Sequence, residues 1–571
     1  MAPRIPDLVL EGIEVPRTEM NRSLIQDFFE GKNILITGGT GFFGNVLIEK
    51  LLRSCSGIKK IYITARPRKG KTTTERIKEM FSGPLFAKLQ EDEPNFAKKV
   101  AFVSADMDLE ECGLSAEDQA MLKREIDVVF HAAATVRFDA ELSTAINTNV
   151  RATRDLVNLA REMHNLKAFV FVSTIFSNCN NEAIPEKFCV PRIAGDIAIA
   201  LNENVESDVI NKMAPNLLDG WPNTYVFSKC LAEDVIKNLG KDMPMAVVRP
   251  SIVTSTAKEP IRGWINNLYG PTGVTAGAMK GILRTFPGDG ECPAELVPVD
   301  YVINSIIACA WDTSTRFIEA QKRKERKAAI NEFENIIGGE GQIFFDEEFD
   351  PFLGEEQRQK DFSIPVYNYV STNRNGITWN EYLEMNAATV RNFPLKAAIW
   401  SASCTLAKTR VEFLFYSFFL HYLPALLADG FCTLVGTKPR FVRISQKIHN
   451  FSNHLSFFGT KNWKFEDNNV GDLWDRLTEM DKDIFYFNIE DLYWPEYFHY
   501  YVLGVREYLL QESLETVPEA RRKMYRFFAL QYLLVFLVFA VFTYGTFQLV
   551  GAFSSSESMI LMPELPESIM V

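Results

Sequence analysis

The stretch that most constrains the fold of this chain is NILITGGTGFFG, residues 33–44. Its first part is a short apolar run that predicts a buried strand, and the residues from Phe42 onward have the apolar spacing of a helix. Between them, Gly38 permits a tight turn and Gly41 lets the backbone approach a pyrophosphate. Gly44 lets the helix pack closely against the strand. Strand, glycine turn and helix N-terminus together predict a dinucleotide-binding site.

The glycine spacing is GxxGxxG rather than GxGxxG, and it resembles that of the extended short-chain dehydrogenase/reductases. The resemblance implies that a cofactor contacts the turn and the first residues of the helix. The residues expected to bind it in this stretch are Thr37, Gly38, Gly41, Phe42, Phe43 and Gly44. Taken alone, the stretch leaves open a glycine turn that binds no ligand, so its interpretation depends on the strands that follow.

A chain of 571 residues is too long for one ordinary core, and at least two domains are expected. The net charge of −12 argues against a nucleic-acid partner, because such proteins usually carry a basic face. The nine cysteines are scattered and form no CxxC pair, so neither a zinc site nor a disulfide framework is expected. Residues 1–15 contain no apolar run long enough to predict a signal peptide.

The second predicted strand, KIYITAR at residues 60–66, ends in Ala65 and Arg66. Enzymes that prefer NAD place an acidic residue at this position to bind the ribose 2′-hydroxyl. Here the position holds Ala65 and Arg66, and Arg68 and Lys69 follow. Positive charge suits a 2′-phosphate, so we expect NADPH as the cofactor, bound by Arg66 and Lys69. The alternative is a solvated basic turn.

Two further strands end beside the predicted cofactor. After the third, KVAFVS, comes Asp106, which the resemblance places beside the adenine. The fourth, IDVVF, continues into His131, Ala132 and Ala133, and the two small residues let a cofactor lie against the sheet. His131 is expected to be structural rather than catalytic. Asn149 opens the next helical stretch and is expected to bridge backbone elements.

The fifth predicted strand, AFVFVS, ends at Ser173 and Thr174. Hydroxyls at the carboxyl end of a parallel strand lie where ligands bind in open α/β folds. Further along the chain, Tyr225 and Lys229 are four residues apart, which puts both on one face of a helix. Alone this pair is a weak signal, and a core tyrosine with a surface lysine is the alternative. Its position after the glycine turn and the hydroxyl-ended strand makes it specific.

These residues suit the reduction of a carbonyl group. A proton must reach the developing alkoxide, but a free tyrosine has a pKa of about 10 and is a poor acid–base catalyst at neutral pH. A nearby lysine cation is expected to lower that pKa and to hold the nicotinamide ribose. A Ser or Thr hydroxyl adds a second hydrogen bond to the carbonyl oxygen. We expect Tyr225 and Lys229 to be catalytic, with Thr174 as the acting hydroxyl and Ser173 just before it.

Taken together, the motifs resemble the alcohol-forming fatty acyl-CoA reductases of animals and plants. They run in family order from residue 31 to 311: TGGTGFFG, YITARPRKGK, HAAATVRFD, PNTYVFSK, VRPSIV and VPVDYV. PVYNYVST at 365–372 continues the series, and the region 392–510 resembles the smaller C-terminal domain of these reductases. The resemblance implies NADPH-dependent reduction of a long- or very-long-chain acyl-CoA to a primary alcohol, through a bound aldehyde and without a metal.

Two other functions stay open on the sequence alone. A membrane-anchored steroid or sterol dehydrogenase would share the YxxxK motif and a membrane segment, although the C-terminal match argues against it. A non-catalytic membrane lipid-binding protein would share the fold, although the presence of Tyr225 and Lys229 argues against that. The expected partners are a long-chain acyl-CoA and a membrane, with a homodimer as the expected assembly.

The expected architecture is α/β: a Rossmann-type doubly wound parallel sheet, a smaller mostly helical C-terminal domain and a C-terminal transmembrane helix. Residues 312–361 are charged and without clear periodicity, and they are expected to form a surface insertion. The domains predicted from the motifs are an N-terminal arm at 1–30 with a short helix at 23–29, an NADP-binding reductase domain at 31–391, a C-terminal domain at 392–515, a transmembrane helix at 527–553 and a tail at 554–571.

Two segments of the C-terminal part are strongly apolar. Residues 411–431 approach the length of a membrane span, but His421, Pro424 and Asp429 interrupt them. They are expected either to contact a membrane or an acyl chain, or to form an ordinary core helix. Residues 527–553 carry no charge, follow four basic residues and precede an acidic tail, so the positive-inside rule places the catalytic domain in the cytosol. The expected membrane is the endoplasmic reticulum, with the peroxisome as the alternative.

Overall fold

The structure is a computed structural model that describes residues 22–66, 70, 72–337 and 362–560 of the chain. Lys69, predicted to bind the cofactor, lies outside the described residues. So do residues 1–21 of the predicted arm, residues 338–361 of the predicted insertion and the end of the tail from 561 onward.

A seven-stranded sheet forms the centre of the molecule, and neighbouring strands in it run parallel. In chain order its strands are Asn33–Thr37 (β1), Lys60–Ala65 (β2), Val100–Ser104 (β3), Val128–His131 (β4), Ala168–Val172 (β5), Met245–Pro250 (β6) and Val366–Tyr369 (β7). In the sheet they lie in the order β7-β6-β5-β4-β1-β2-β3. This is the dinucleotide-binding order with one further strand, and its switch point lies between β1 and β4. The predicted doubly wound sheet is therefore confirmed.

The sheet is buried on both faces, because successive side chains of a strand point to opposite sides. On β1, Ile34 and Ile36 belong to one apolar cluster and Leu35 belongs to another. Helices cover both faces and exclude water from the sheet. On the first face lie Phe42–Ser54 (the glycine helix) and Val299–Ile337 (the long helix), and on the second lie Ala152–Arg161 and Thr224–Leu239 (the tyrosine helix).

The remaining helices lie around the sheet and in the C-terminal region. A π-helical segment joins Arg410–Ser417 to Leu423–Leu434, so that Arg410–Leu434 forms one continuous helix, the apolar helix. The others are Leu24–Phe29, Thr73–Phe81, Ala87–Asp92, Ala116–Glu125, Leu142–Ala145, Gly195–Asn204, Ser207–Leu218, Gly270–Met279, Thr372–Asn375, Trp379–Asn392, Phe441–Gly459 (the return helix), Asn468–Asp475, Glu479–Ile484, Trp494–Gly504 and Val517–Ile560 (the C-terminal helix).

The helix Leu24–Phe29 shows that the last residues of the predicted N-terminal arm are not loose. Ile25 and Phe29 are fully buried in the same cluster as the first face of the sheet. Ser23 caps the helix, and its hydroxyl donates a 2.5 Å hydrogen bond to Asp481 in the C-terminal region. This part of the arm therefore belongs to the core, and the contact that holds it is too distant in sequence for the local pattern to predict.

The long helix corrects the predicted start of the charged insertion at Asp312. The helix continues unbroken through this position, and Asp312 and Ala320 are both buried. Asp312 lies 2.8 Å from Arg316 and 2.8 Å from Arg476, and it accepts a hydrogen bond from the Tyr367 hydroxyl. A charged side chain can be buried when it is paired in this way, and that pairing is not visible in local composition.

The C-terminal region interlocks with the reductase domain through small parallel sheets. Each of these short strands takes part in a two-stranded pair. Two pairs join the regions, Thr405–Ala407 with Thr285–Pro287 and Lys464–Phe465 with Ala183–Ile184, and a third, Leu296–Pro298 with Ile252–Thr254, lies within the reductase domain.

The two regions also touch directly through backbone atoms at Gly263 and Gly504. A Cβ on Gly504 would lie 1.7 Å from the carbonyl oxygen of Gly263. Gly263 has φ +76°, and a Cβ on it would lie 2.1 Å from the carbonyl oxygen of Tyr500. The helix Trp494–Gly504 therefore packs on the loop around Gly263 with no side chain between them.

Two helices among the described residues are long and apolar enough to span a membrane, Arg410–Leu434 and Leu514–Val550. The second has a mean hydropathy of 2.1 and its most apolar part is wholly unburied, whereas the first has a mean hydropathy of 1.5 and is 22% buried. Residues 527–550 thus lie on a largely exposed apolar helix, and the crossing of a membrane by this helix stays a prediction. The exposure of 411–431 argues against the ordinary core helix that the sequence leaves open.

Candidate active site

The glycine turn connects β1 to the glycine helix at the switch point of the sheet. Gly38 has φ +73°, and a Cβ there would lie 2.8 Å from the backbone nitrogen of Ala133. A Cβ on Gly44 would lie 2.4 Å from the carbonyl oxygen of Gly38, so the helix packs on the turn only because this residue is glycine. Gly41 is exposed and N-caps the helix, whose first N–H groups receive no side-chain cap. These N–H groups suit an anionic pyrophosphate.

Apolar side chains border the turn. Phe42 and Phe43 begin the glycine helix, and both are half-buried. Phe42 stacks on Trp264 with 5.7 Å between the ring centroids. Ala132 is half-buried beside Gly38, where its carbonyl carbon would lie 2.9 Å from an added Cβ. Small residues after β4 therefore leave the backbone of the turn accessible at the edge of the sheet.

His131 holds the turn from inside the sheet. Ala133 N donates to Thr37 Oγ1 (3.1 Å), and that hydroxyl lies 2.7 Å from His131 Nδ1. The other ring nitrogen, Nε2, lies 3.0 Å from Thr153 Oγ1. Burial, together with the charge of Lys229, lowers the pKa of His131 to about 3. A neutral imidazole bonded through both nitrogens has none left for proton transfer, which agrees with the structural role predicted for it.

The end of β2 carries a cluster of charged residues. The Arg66 guanidinium lies 3.3 Å from Asp108 and 3.7 Å from Asp106. Arg76, which the sequence analysis does not single out, donates to Arg66 O (2.6 Å) and to Thr40 Oγ1 (3.2 Å). Arg76 thus bridges the end of β2, predicted to hold the ribose 2′-phosphate, and the glycine turn, predicted to hold the pyrophosphate. No motif marks it, because its place follows from the packing of the helix Thr73–Phe81.

Asp106 lies just beyond β3, where the resemblance places a contact with the adenine. Its Oδ1 accepts a 3.1 Å hydrogen bond from the backbone nitrogen of Asp108, and the residue is half-buried. The carboxylate therefore shapes the local turn, and the contact with Arg66 draws the ends of β2 and β3 together.

Tyr225 lies in the first turn of the tyrosine helix. Asn223 caps this helix, with its side-chain oxygen accepting from Val226 N (3.1 Å). The Thr174 hydroxyl, beyond the carboxyl end of β5, is the side chain that acts on the phenol. Burial raises the pKa of Tyr225 to about 12, and the interaction with Thr174 offsets part of the rise. The phenol is therefore protonated at neutral pH, which is the form that a proton donor requires.

Lys229 lies one turn further along the helix and is buried. Its Nζ donates to the carbonyl oxygen of Val172 (2.8 Å) and lies 4.6 Å from the centroid of the Phe171 ring. Burial lowers the pKa of Lys229 to about 7, and the charge of Glu233 offsets part of the fall. The expectation that this lysine lowers the pKa of Tyr225 is therefore wrong for this structure. The ammonium is held by Val172 and Phe171, and burial dominates both pKa values.

Ser173 and Thr174 have different partners although they are adjacent. Ser173 Oγ donates to Glu233 Oε1 (2.5 Å), and Ser177 Oγ donates to the same oxygen (2.8 Å). The other Glu233 oxygen lies 2.6 Å from Arg249, in an ion pair that is almost completely buried. Ser173 thus belongs to a buried ionic network, whereas Thr174 is the hydroxyl that reaches the phenol.

Asn149 ties the tyrosine helix to the segment after β4. Its side-chain oxygen accepts from Thr135 N (2.8 Å), and its amide donates to Ser228 Oγ (2.9 Å). It therefore bridges backbone elements as predicted. It lies within the π-helical segment Ile146–Arg151 rather than at the start of a helix.

An apolar cavity opens beside Tyr225, with an empty volume of about 690 Å³ that includes its mouth. Both the reductase domain and the C-terminal region contribute to its walls, which is where we expect an acyl tunnel from the resemblance. The lining residues are Phe138, Phe176, Tyr225, Val226, Ile252, Gly270, Pro271, Val274, Phe286, Trp379, Tyr382, Leu383, Leu406, Leu455, Phe458 and Gly459.

The residues at the switch point fit a dinucleotide. The glycine turn is a cradle that added Cβ atoms would fill, uncapped N–H groups face it, and Arg66 and Arg76 supply positive charge beside it. Among the described residues, no group of three or more His, Cys, Asp or Glu side chains could hold a metal ion. Fold and site together define a reductase of the doubly wound, dinucleotide-binding class that uses a nicotinamide cofactor.

Comparisons with known proteins identify the family. A family profile described as "Male sterility protein" matches residues 36–306, and a second with the same description matches residues 420–512. "Fatty acyl-CoA reductase wat" of Drosophila melanogaster is 34% identical over 533 residues, which cover 93% of this chain and 95% of that protein. "Fatty acyl-CoA reductase 1" of Homo sapiens is 33% identical over 522 residues, covering 91% and 93%. The chain belongs to the fatty acyl-CoA reductase family, whose members are NAD(P)H-dependent oxidoreductases.

A solved structure shares the fold. The reductase domain of a non-ribosomal peptide synthetase from Mycobacterium tuberculosis aligns with a TM-score of 0.50 at 16% sequence identity. The alignment covers 86% of this chain and 98% of that one. At this identity the likeness concerns the fold alone, and it agrees with the doubly wound sheet described above.

Proposed function

We propose that this protein reduces a long- or very-long-chain fatty acyl-CoA to a primary alcohol and CoA, consuming two NADPH per thioester. The observation that carries the proposal is the apolar cavity of about 690 Å³ that has Tyr225 in its wall. An apolar cavity suits a fatty chain, and a protonated phenol in its wall suits a carbonyl oxygen that gains negative charge. Membership of the fatty acyl-CoA reductase family supports the thioester as the substrate.

Tyr225 and Thr174 act on the carbonyl oxygen. The Thr174 hydroxyl acts on the phenol of Tyr225, so a carbonyl oxygen placed beside the two hydroxyls would accept a hydrogen bond from both. As the carbonyl carbon is reduced, Tyr225 transfers its proton to that oxygen and Thr174 keeps the phenol oriented. Lys229 lies on the same face of the helix, and its buried ammonium would hold the nicotinamide ribose rather than lower the pKa of Tyr225.

The glycine turn and the neighbouring strand ends would hold the cofactor. The uncapped N–H groups of the glycine helix would bind the pyrophosphate, and Arg66 and Arg76 would bind the 2′-phosphate, which favours NADPH. When bound, the nicotinamide supplies hydride to the carbonyl carbon. Further proposed contacts are Thr37, Gly38, Gly41, Phe42, Phe43, Gly44, Lys69, Asp106, Ala132, Ala133, Tyr225 and Lys229, the last with the ribose.

The reaction takes two rounds at the same residues. The first converts the thioester to a hemithioacetal, which expels CoA and leaves an aldehyde. The second converts the aldehyde to the alcohol. Each round uses one hydride and one proton, so the thioester, two NADPH and two protons become the alcohol, CoA and two NADP⁺. The aromatic walls of the cavity exclude water and retain the aldehyde between the rounds.

The C-terminal helix is proposed to anchor the protein in the endoplasmic reticulum membrane, with the catalytic domain in the cytosol. Its part from Leu530 to Val550 exposes apolar side chains, and four basic residues come just before it. The peroxisomal membrane is the alternative, because the positive-inside rule fixes orientation and not the organelle. A homodimer is the proposed assembly.

The test is NADPH oxidation by full-length protein purified in detergent, with acyl-CoA of increasing chain length and identification of the products. Alcohol formed at two NADPH per thioester supports the proposal and reveals the chain-length preference. Aldehyde as the only product would assign the second reduction to another enzyme. Oxidation with a sterol but with no thioester would move the protein to the sterol dehydrogenases. Light scattering on the same preparation tests the homodimer.

A further inference from the structure

The apolar helix carries an exposed face that is apolar along almost its whole length. Val411, Leu427, Phe431 and Leu434 are each at least 67% exposed. A single exposed apolar residue is ordinary, but a continuous patch of this kind marks a surface that meets something apolar. The exposed large apolar residues between 411 and 435 are Val411, Leu414, Phe415, Phe418, Phe419, Tyr422, Leu426, Leu427, Phe431, Leu434 and Val435.

Two polar residues in the middle of this helix turn to its inner side, whereas Glu412 in its first turn and Thr433 near its end are exposed. His421 is buried, and its Nε2 accepts a 2.9 Å hydrogen bond from the backbone nitrogen of Arg284. Asp429 is buried too, and its carboxylate accepts from the backbone nitrogens of Arg440, Phe441 and Val442 at 2.8 to 2.9 Å. The residues that interrupt the apolar sequence therefore leave the exposed face apolar.

Basic residues stand at both ends of this face. Lys408 and Arg410 are exposed just before it, and Lys438, Arg440 and Arg443 are exposed just after it. Apolar side chains flanked by Lys and Arg are typical of helices that lie in the plane of a membrane surface, where the cations meet anionic headgroups.

The segment that precedes the apolar helix contacts the start of the exposed part of the C-terminal helix. Trp400 stacks on Phe527 with 5.8 Å between centroids, and Ser401 Oγ donates to Gln531 (2.5 Å). Arg284 lies 5.7 Å from the Trp400 ring, and its backbone nitrogen is the one bonded to His421. The two apolar surfaces therefore leave the body of the protein close together.

The segments on either side of the apolar helix form part of the wall of the cavity. Leu406 precedes the helix, and Leu455 and Phe458 lie on the return helix, and all three line the cavity. The exposed face of the return helix is polar, so only one side of this helix pair is apolar. Its exposed residues are Arg443, Gln446, Lys447, Asn450, Asn453 and His454.

We propose that the exposed face of the apolar helix lies in the same bilayer that holds the C-terminal helix, as a second membrane contact parallel to the surface. The inference rests on the membrane anchoring proposed above. In this proposal the apolar helix lies on the membrane and does not cross it. The inner side of the helix is bonded to the body of the protein, and the exposed face of the return helix is polar. It also brings the wall of the acyl cavity to the membrane, where long acyl chains partition.

Photo-labelling tests this contact without measuring activity. Full-length protein is reconstituted into phosphatidylcholine vesicles that contain anionic phosphatidylserine and a phospholipid with a diazirine in its acyl chain, and adducts are mapped after irradiation. Adducts are expected on residues 411–435 and on 530–550, with none on the exposed residues of the return helix. Adducts on 530–550 alone would overturn the inference and leave the anchor intact. Adducts on neither segment would overturn both.

A variant with its matched control sharpens the test. In Phe415→Gln/Phe419→Gln/Phe431→Gln the labelling of 411–435 is expected to fall about tenfold, because the helix loses apolar area that the bilayer would bury. Labelling of 530–550 should not change. The control, Val190→Gln/Ile197→Gln/Ile318→Gln, replaces three other exposed apolar residues and should leave both patterns as in the wild type. Equal labelling in both variants would overturn the inference.

A second copy of the chain is the competing occupant of the same face. It predicts cross-links between copies through 411–435, with lipid adducts confined to 530–550. That outcome would reassign the face to a protein interface and overturn the membrane contact.

Discussion

Ser173 and Thr174 are adjacent at the end of β5, yet they have different partners. The Ser173 hydroxyl supports the buried Glu233–Arg249 ion pair, and the Thr174 hydroxyl interacts with the phenol of Tyr225. Both positions carry a hydroxyl, so the sequence alone cannot separate a positioning role from a role at the reacting oxygen.

Replacing each hydroxyl separately should give opposite results. Thr174→Val should lower kcat and kcat/KM together by about a hundredfold, because it removes a donor that is needed as charge develops on the oxygen. Ser173→Ala should keep kcat near that of the wild type and lower the free energy of unfolding by about 1–3 kcal/mol, because a buried charged acceptor loses a donor. Steady-state kinetics and thermal melting of both variants check this. A large kcat loss confined to Ser173→Ala would reverse the assignment.

Arg76 should decide the choice between NADPH and NADH. Arg76→Ser should raise the KM for NADPH about 10- to 100-fold, the value of a lost hydrogen bond between charged groups, and leave the KM for NADH unchanged. Lys78→Ser, on the same helix and also exposed to solvent, is the matched control and should change neither KM. An equal rise for both cofactors in Arg76→Ser would mean that this arginine supports the glycine turn and does not read the phosphate.

His131 should make the protein less stable as the pH falls. Its pKa of about 3 lies below the ordinary value of about 6.5, so between these values the unfolded chain binds a proton that the folded protein does not. Stability is therefore retained above about pH 6.5 and lost below it, by about 1.4 kcal/mol per pH unit. In His131→Gln no imidazole at this position takes up a proton on unfolding, so the melting temperature of the variant should fall less between pH 7 and pH 5 than that of the wild type. Retained activity at pH 8 would support the structural role, and its abolition would contradict it.

At the level of single residues, the glycines and Tyr225 could be located from the sequence because their spacing itself carries the chemistry. Arg76 could not be, since it reaches the glycine turn through the placement of a helix. The pKa of Lys229 could not be predicted either, because burial outweighs the nearby charges once the tyrosine helix packs on β5.

The wall of the acyl cavity is built from elements far apart in the chain. The helix Gly270–Met279 contributes Pro271 and Val274, and the return helix contributes Leu455 and Phe458. Because the cavity lies between these helices, the size of one side chain in the wall limits the length of chain that fits.

Val274→Phe should therefore shorten the preferred substrate. The larger ring occupies space beside Leu283 and Phe286, the buried residues with which Val274 packs. We expect kcat/KM for the longest acyl-CoA to fall about tenfold relative to shorter ones, the effect of losing one or two buried methylenes. Val274→Ala, which removes volume at the same position, is the control and should not disfavour long chains. Equal losses at all chain lengths in the Phe variant would show that the chain does not pass this residue.

Strands β1 to β5 could be predicted because each is a short apolar run before a turn or a polar residue. The burial of Asp312, by contrast, could not be predicted from the local sequence pattern. Its neighbourhood is charged and indicates solvent exposure, but its partners Tyr367 and Arg476 lie more than fifty residues away and bury it. The helix Leu24–Phe29 is a similar case, since its bond to Asp481 spans nearly the whole chain.

Seen as a whole, the protein is asymmetric in its exposed surface. Apolar side chains gather on the apolar helix and on the C-terminal helix, and basic residues stand beside both. Both apolar surfaces belong to the membrane contacts proposed above, and residues on either side of the apolar helix line the cavity beside Tyr225.

Protease treatment of intact microsomes should reveal the orientation. With one tag at the N-terminus and another at the C-terminus, the N-terminal tag should be digested at once and the C-terminal tag protected until detergent is added. By the positive-inside rule, the basic residues between Arg521 and Arg526 keep the N-terminal side of the helix in the cytosol. Full-length protein and a variant with these four residues changed to Ser are compared, and the variant should lose its uniform orientation. Digestion of both tags in intact microsomes would show that no segment crosses.

The contact between Gly263 and Gly504 has a consequence for how this chain can change over evolution or in the laboratory. Backbone meets backbone there with no room for a methyl group on either side, and two parallel strand pairs join the same two regions. A chimera that grafts the C-terminal region of a relative onto this catalytic half has to match both glycines and both strand registers at once. The two halves should therefore be inherited together, and specificity should diverge by substitution inside the shared cavity rather than by exchange of modules.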